Sequence, residues 1–191
     1  MTTVYFVRHA ESDSSIHNAL LRPLTEKGVT DCKLVTNFLS DKNINAAFSS
    51  PYKRAIDTIA DFTSKNGIVV VTIDDFREHE TISDNYCDAD YFPFIKKYWE
   101  NKRYKVDGDE SIAELQRRNI LALEAILQKH KDRNIVIGTH GMALSAMINY
   151  YNSAYGYNDF ISMVKLKPWI VKMTFENTVN TTIEYINVFA K

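Results

Sequence analysis

Short apolar runs alternate with longer segments of helical periodicity along most of this chain. The runs are rich in β-branched and aromatic residues and are too short for helices, so we predict buried strands there. The predicted strands are Val4–Val7, Ala46–Phe48, Ile68–Ile73 and Ile135–Ile137. The predicted helices are Thr25–Ser40, Ser50–Ser64, Glu110–Lys129 and Gly141–Tyr151.

The alternation of strands and helices predicts a parallel sheet that is covered on both faces. The tail adds two further apolar runs, Trp169–Phe175 and Thr182–Val188, which indicate an antiparallel hairpin. We therefore expect an α/β fold: a three-layer sandwich with a mostly parallel sheet flanked by helices, plus the C-terminal hairpin. The whole chain, residues 1–191, is expected to form a single domain with an insertion around residues 85–109, its least regular stretch.

Composition narrows the possible partners. The 191 residues are 45% apolar, and 23 basic against 24 acidic residues give a net charge of −1. This balance gives no reason to expect nucleic acid or an anionic membrane as the main partner. Cys32 and Cys87 have no metal or redox spacing, and no apolar run approaches membrane-spanning length. We expect a cytoplasmic protein without a nucleic-acid or membrane partner.

Cationic or titratable residues follow each of the four predicted strands. Arg8 and His9 end the first, "SSPYKRA" puts Arg54 into the helix after the second, "DDFREHE" brings Glu78 after the third, and "GTHGMA" brings His140 after the fourth. Ligands of open parallel sheets bind beyond the carboxyl ends of the strands. We therefore expect these side chains to gather at one edge of the sheet.

Each of these motifs alone is compatible with a solvated surface. Arg54 is less easily explained that way, because a cation in the first turn of a helix opposes the helix dipole unless an anion binds there. In this helix, Ser50 is predicted to be the N-cap and Pro51 the first helical residue. The four motifs together therefore favour a functional site over four coincidences.

Phosphoryl transfer is the chemistry that needs this set of side chains. Two arginine forks match the oxygens of a phosphate, and Gly141 lets backbone approach closely at a helix start. A neutral imidazole can act as the nucleophile, and a nearby carboxyl group can protonate the leaving alkoxide. The strand ends offer no carboxylate cluster suited to magnesium, so we expect neither a metal nor another cofactor.

Five motifs resemble the histidine phosphatase superfamily, also called phosphoglycerate mutase-like: "VRHAES", "PLTEKG", "SSPYKRAIDTI", "FREHE" and "VIGTHGMAL". They occur in this order from residue 4 to about residue 150. The resemblance implies that His9 is the phosphorylated nucleophile and Glu78 the proton donor. It also implies that Arg8, Arg54 and His140 hold the phosphoryl group.

Three departures from the family pattern stand near the predicted site. Ala10 replaces a glycine after the nucleophile, which matters only if the position needs a positive φ. Ser15 stands where an asparagine often holds the phosphate, and its hydroxyl can still donate one hydrogen bond. After Glu78 the family often continues with glycines and a tryptophan, whereas this chain has "HETISDNY". Glu80 is therefore a rival to Glu78 as the acid, and the sequence leaves this alternative open.

The resemblance covers phosphatases and mutases. Mutases of this type are similar but carry a longer insertion between the acid and the second histidine, whereas only about sixty positions separate Glu78 from His140 here. The shorter segment favours an open pocket and attack by water, so we expect a metal-independent phosphatase that acts on a small phosphorylated substrate. A phosphoglycerate-type mutase and a non-catalytic module that binds a phosphorylated ligand are the alternatives. The sequence identifies neither the substrate nor the oligomeric state.

Overall fold

A computed structural model of the chain describes residues 1–79 and 88–190. The described strands are β1 (Thr2–Arg8), β2 (Ala46–Ser49), β3 (Val70–Thr72), β4 (Asn134–Thr139), β5 (Trp169–Glu176) and β6 (Val179–Ile186). The described helices are α1 (Glu26–Leu39), α2 (Lys53–Lys65), α3 (Asp88–Glu100), α4 (Ile112–Lys129), α5 (Gly141–Tyr151) and α6 (Tyr157–Met163). A single 3₁₀ turn, Asp74–Phe76, follows β3.

The six strands form one sheet in the order β3-β2-β4-β1-β5-β6. β1, β2, β3 and β4 run parallel, whereas β5 pairs antiparallel with β1 and β6 antiparallel with β5. The predicted α/β fold with an antiparallel C-terminal hairpin is thus confirmed. In the register of the sheet, Arg8 lies beside Thr139, and Ser49 beside Gly138. The carboxyl ends of β1, β4 and β2 therefore lie side by side.

Alternating residues of β1 face two separate cores, one on each side of the sheet. Val4 and Phe6 belong to the larger core, and Tyr5 and Val7 to the smaller one. The helices divide in the same way: α1 and α2 supply the smaller core, and α4 and α5 the larger one. The contributing side chains are Val35, Leu39, Ile59 and Phe62 on the first side and Leu115, Leu123, Leu144 and Ile148 on the other. This arrangement confirms the three layers.

The prediction of how α2 begins is wrong. The helix starts at Lys53 with Tyr52 as its N-cap, so Ser50 does not cap it and Pro51 is not its first residue. The backbone N–H of Ser50 donates to the Gly138 carbonyl (2.9 Å), which holds Ser50 against β4. Its hydroxyl pairs with the His140 ring at 2.7 Å. Ser50 is therefore part of the sheet edge and of the site.

The expectation that residues 85–109 are irregular is wrong for a large part of that stretch. Helix α3 occupies Asp88–Glu100, and four of its side chains at helical spacing are buried in the larger core: Phe94, Ile95, Tyr98 and Trp99. Residues 85–87 lie outside the described residues. The single domain and the insertion stay predictions.

Helix α4 is 18 residues long and begins at a capping box. The Ser111 hydroxyl accepts the N–H of Glu114 (3.2 Å), and the Glu114 carboxylate accepts the N–H of Ser111 (2.8 Å). Together with Lys105, these bonds lower the pKa of Glu114 to about 2. Helix α4 packs on α5 with one face and keeps a charged face outward. Nowhere in the described ranges does a helix combine the length and apolarity that crossing a membrane requires.

Candidate active site

The carboxyl ends of β1 and β2 open onto a cavity of about 740 Å³. Four of the residues predicted to form the site line this cavity: Arg8, His9, Arg54 and Glu78. Sheet register accounts for Arg8 and His9, and the first turn of α2 for Arg54. The structure therefore brings together residues that are far apart in the sequence, as the strand-end argument predicts.

His9 is held with one ring nitrogen committed to a protein acceptor. Its backbone N–H donates to the Thr139 carbonyl (3.0 Å), so the residue continues the pairing of β1 with β4. The ring Nδ1 lies 2.7 Å from the Ala10 carbonyl oxygen. Since a carbonyl oxygen can only accept, Nδ1 carries the proton. In the neutral ring Nε2 then holds the lone pair.

The surroundings of His9 keep this ring neutral. Burial, and then the charges of Arg54 and Arg8, hold its pKa well below the ordinary value of 6.5. A neutral imidazole at neutral pH is the form that can attack phosphorus.

Ala10, which follows the nucleophile, fits its position without a glycine. It does not adopt a positive φ, and its N–H donates to the Thr58 hydroxyl (2.9 Å). The methyl group packs in a small core with Leu24 and Cys32. The departure from the family's glycine therefore introduces no backbone strain here.

His140 lies behind the nucleophile and is fully buried. Its Nε2 pairs with the Ser50 hydroxyl, and its ring meets the His9 ring edge-on, with centroids 5.3 Å apart. Burial, followed by the Arg54 charge, lowers its pKa well below 6.5. His140 is thus a neutral ring against the back of His9 rather than part of the cavity wall. Its contact with a phosphoryl group stays a prediction.

Arg8 is anchored on the last residue of α6 and the segment that follows it. Its Nη1 donates to the carbonyls of Met163 (2.9 Å), Val164 (2.9 Å) and Leu166 (3.1 Å). The other side of the guanidinium packs on Gly141, where an added Cβ would lie 3.3 Å from both Nε and Nη2. A glycine at the start of α5 therefore makes room for Arg8. A direct contact between Gly141 and phosphate stays a prediction.

Arg54 is buried in the first turn of α2, as the sequence predicts. Its Nη1 donates to the Ala19 carbonyl (2.6 Å), and its guanidinium carbon lies 4.8 Å from the centre of the Tyr52 ring. The ring face and the carbonyl stabilise the cation where the helix dipole alone would disfavour it.

Glu78 occupies the amino end of α5. Its carboxylate accepts the N–H groups of Ala143 (2.9 Å), His79 (2.9 Å) and Met142 (3.2 Å). A carboxylate at this end of a helix is favoured by the dipole. The rival acid Glu80 lies outside the described residues, so the choice between the two carboxylates stays open.

The sequence reasoning missed the residues that position Glu78. Arg118 of α4 donates to the backbone carbonyls of Asp75 (2.6 Å), Arg77 (2.9 Å) and Glu78 (2.9 Å). Glu110 holds the same guanidinium with two bonds of 2.6 and 2.8 Å. A bidentate pair of this kind orients both side chains. Glu110, within the segment "DGDESIAEL" that precedes and opens α4, thus supports the candidate acid through Arg118.

Ser15, predicted to help hold the phosphate, does not line the cavity. It is exposed, and its hydroxyl donates to the Asp13 carboxylate (2.7 Å). Its neighbours Ser12 and Ser14 line the cavity instead.

The sequence reasoning also missed several charged or aromatic residues of the cavity wall: Glu11, Arg22, Tyr52 and Lys167. Lys167 follows α6 and had no motif to mark it. In the part of the chain that the structure describes, no three His, Cys, Asp or Glu side chains cluster as metal ligands would.

A buried neutral histidine between arginines, at the carboxyl edge of a parallel sheet, defines a phosphoryl-handling α/β site. The sequence model of the histidine phosphatase superfamily (branch 1) matches residues 4–166, and the chain belongs to this superfamily.

Relatives within this superfamily carry phosphatase and mutase-like names. The chain is 28% identical to phosphoserine phosphatase 1 of Hydrogenobacter thermophilus over 157 residues, which covers 77% of this chain and 74% of the relative. It is 31% identical to phosphoglycerate mutase-like protein 4 of Arabidopsis thaliana over 158 residues, which covers 75% and 68%. The structure of a mycobacterial glucosyl-3-phosphoglycerate phosphatase with VO3 matches with a TM-score of 0.76 at 17% identity, covering 96% of each chain. This structural likeness shows the shared fold.

Proposed function

We propose that this protein is a phosphatase that hydrolyses a small phosphomonoester, without a metal, through a phosphohistidine at His9. The observation that carries the proposal is the Nδ1 contact of His9 with the Ala10 carbonyl (2.7 Å). It leaves Nε2, which makes no hydrogen bond with any described residue, as the nucleophilic atom on the cavity wall.

In the first step, Nε2 of His9 attacks phosphorus in line, and the bond between phosphorus and the leaving oxygen breaks. The proton of the Glu78 carboxyl group goes to that oxygen, so the substrate leaves as an alcohol. Arg8 and Arg54 stabilise the charge on the transferred oxygens, which is the main demand of phosphoryl transfer. A phosphate dianion in the cavity favours the protonated form of Glu78 that this step needs.

In the second step, water attacks phosphorus and the bond to Nε2 breaks. The Glu78 carboxylate accepts the proton of the water, inorganic phosphate forms, and His9 returns to its neutral state. The same residue thus serves as acid and then as base.

The names of the relatives support both hydrolysis and the mutase alternative. We favour hydrolysis because the cavity is wide enough to admit water beside a small phosphate ester. The non-catalytic binding module is the weaker alternative, because such a module would need Arg8 and Arg54 but neither His9 nor Glu78. Action in the cytoplasm, and the lack of a nucleic-acid partner, stay part of this proposal.

The test is hydrolysis of p-nitrophenyl phosphate at pH 5–7 with EDTA, for the wild type and for His9→Ala. We expect turnover that EDTA does not affect and that falls at least about 10⁴-fold in the variant. His17→Ala is the matched control, because His17 is exposed and does not line the cavity. Activity that survives His9→Ala contradicts the proposal. A wild type that binds phosphate esters and turns over none of them supports the binding module.

A further inference from the structure

Lys167 reaches the cavity from a segment that is fixed on both sides. The carbonyls of Val164 and Leu166 accept hydrogen bonds from Arg8, and Trp169 pairs with Arg8 across β1 and β5. The backbone around Lys167 is therefore tied to the residue that precedes the nucleophile. Its side chain is half-buried and lines the cavity.

The ammonium of Lys167 makes no hydrogen bond or ion pair with any residue that the structure describes. Burial, and then the charge of Arg8, lowers its pKa below the ordinary value. The neighbouring carboxylates of Glu11 and Glu78 act in the opposite direction but do not pair with it. A partly desolvated cation without a partner is costly, and an anionic ligand in the cavity would relieve that cost.

Lys167 lies beyond the carboxyl end of β1. Strand β5 runs antiparallel to β1 and begins at Trp169, which pairs with Arg8, so Lys167 comes two residues before that pair, at the edge of the sheet that carries the nucleophile. In the proposed reaction the phosphoryl group on His9 faces Arg8 and Arg54, which line the same cavity. A further cation on the cavity wall is available to the part of the substrate that leaves.

We propose that Lys167 determines specificity: its ammonium binds an oxyanion on the leaving part of the substrate, a carboxylate or a second phosphate, and not the phosphoryl group that His9 attacks. This inference rests on the proposed function, because it assumes that the cavity holds a phosphate ester. The substrates selected in this way are small phosphomonoesters with a second negative group close to the ester.

The test compares two pairs of esters that differ in one anionic group. The first pair is 3-phosphoglycerate and glycerol 3-phosphate, and the second is fructose 1,6-bisphosphate and fructose 6-phosphate. In at least one pair, we expect Lys167→Met to lower kcat/KM about 10- to 100-fold for the ester with the additional anionic group, as the loss of a charge-assisted hydrogen bond does. The other member changes less than about 2-fold. The pair that responds identifies carboxylate or phosphate as the anion.

Two matched variants complete the design. Lys167→Arg keeps the positive charge and is expected to restore most of the preference, whereas Lys165→Met removes an exposed lysine two residues away and is expected to change nothing. Equal losses for both members of each pair would show that Lys167 acts on the transferred phosphoryl group, and no loss for any ester would show that it acts on none. Either result overturns the inference.

The proposed phosphatase activity can fail without overturning the role of Lys167. If the wild type hydrolyses none of the four esters, the same pairs are compared by their dissociation constants in calorimetry. Selective weakening of the more anionic ester by Lys167→Met still supports the role of Lys167. The absence of any such selectivity overturns that role.

Discussion

The candidate active site has two halves that are built by different means. The nucleophile half comprises Arg8, His9, Arg54 and His140, and the acid half comprises Glu78, Glu110 and Arg118. The nucleophile half lies at the ends of neighbouring parallel strands and in the first turn of α2. The acid half lies outside the strand ends: Glu78 is on the segment after β3, Glu110 comes just before α4, and Arg118 is on α4.

The two halves are held by different contacts. Backbone pairing of the sheet positions the nucleophile half, as the His9 N–H bond to Thr139 (3.0 Å) shows. A side chain positions the acid half, because Arg118 donates to the backbone carbonyls of Asp75, Arg77 and Glu78. We therefore expect substitutions in the nucleophile half to act mainly on the chemical step. Substitutions around Arg118 are expected to act on position and stability as well.

The largest of the effects that separate the two halves is expected for Arg54→Met. It removes a buried cation beside the nucleophile, and kcat/KM for p-nitrophenyl phosphate should fall about 10³-fold. Arg133→Met is the control, because Arg133 is exposed at the start of β4, the opposite end of that strand from the site. A loss of less than about 10-fold in a folded Arg54→Met protein would show that Arg54 does not stabilise the transferred phosphoryl group.

Glu78→Gln tests the acid half by comparing esters whose leaving groups differ in their need for a proton. Without the proton donor, kcat/KM should fall about 10²-fold for an alkyl ester such as glycerol 3-phosphate. The loss for p-nitrophenyl phosphate should be much smaller, because p-nitrophenolate leaves without a proton. Glu80→Gln is the matched variant: if it shows the leaving-group-dependent loss and Glu78→Gln does not, the acid is Glu80.

Arg118→Met tests whether the acid half depends on the contacts of Arg118 with Glu110 and with the backbone around Glu78. The ion pair with Glu110 is mostly shielded, with side-chain exposures of 13% and 15%. Removal of the arginine leaves Glu110 and three carbonyls without this donor, so the free energy of unfolding should fall by about 2–4 kcal/mol. The kcat/KM for alkyl esters should fall about 10-fold. Arg117→Met, an exposed neighbour on α4, should stay within about 0.5 kcal/mol of the wild type. Equal effects of Arg118→Met and Arg117→Met would show that Arg118 does not position the acid half.

Between pH 5.5 and 7.5, the pH dependence of stability reports on the two histidines of the nucleophile half. A histidine in the unfolded chain is expected to have a pKa of about 6.5. In the folded protein the pKa values of His9 and His140 lie well below this value. Below pH 6.5 the unfolded state therefore binds protons that the folded state does not. Stability should fall with decreasing pH by about 1.4 kcal/mol per unit for each histidine, and these two residues should add no slope above that range.

Urea unfolding at pH 5.5, 6.0 and 7.5 measures this slope. His9→Gln should reduce the slope below pH 6.5 by about the share of one histidine, whereas the exposed His17→Gln should leave it unchanged. An unchanged slope in His9→Gln would show that His9 is not held neutral by the fold.

The nucleophile half could be predicted from the sequence because its signals are local. The run Val4–Val7 indicates a strand, the next two residues are Arg8 and His9, and parallel strands share one edge. Helix α5 has the predicted bounds, Gly141–Tyr151. The residues of the nucleophile half are close in sequence to regular elements, and the regular pairing of the strands then places them together.

The acid half, Lys167 and the position of Ser15 depend on contacts that no local sequence pattern predicts. Arg118 meets the Glu78 segment across some forty positions of sequence, and Lys167 lines the cavity from a segment before β5 that Arg8 holds by hydrogen bonds. Ser15 has the predicted spacing from His9, but the Asp13 carboxylate holds its hydroxyl. Helix α3 was missed because Pro93 and a cluster of aromatic residues obscure its helical spacing.

The most direct test of the central claim is a rapid alkaline quench of the enzyme during turnover of a ³²P-labelled phosphomonoester, followed by peptide mapping. The account predicts a phosphoryl group that is stable to base and labile to acid, on the peptide that contains His9. Label that resides on any other residue, and that forms and decays as fast as turnover requires, would contradict it.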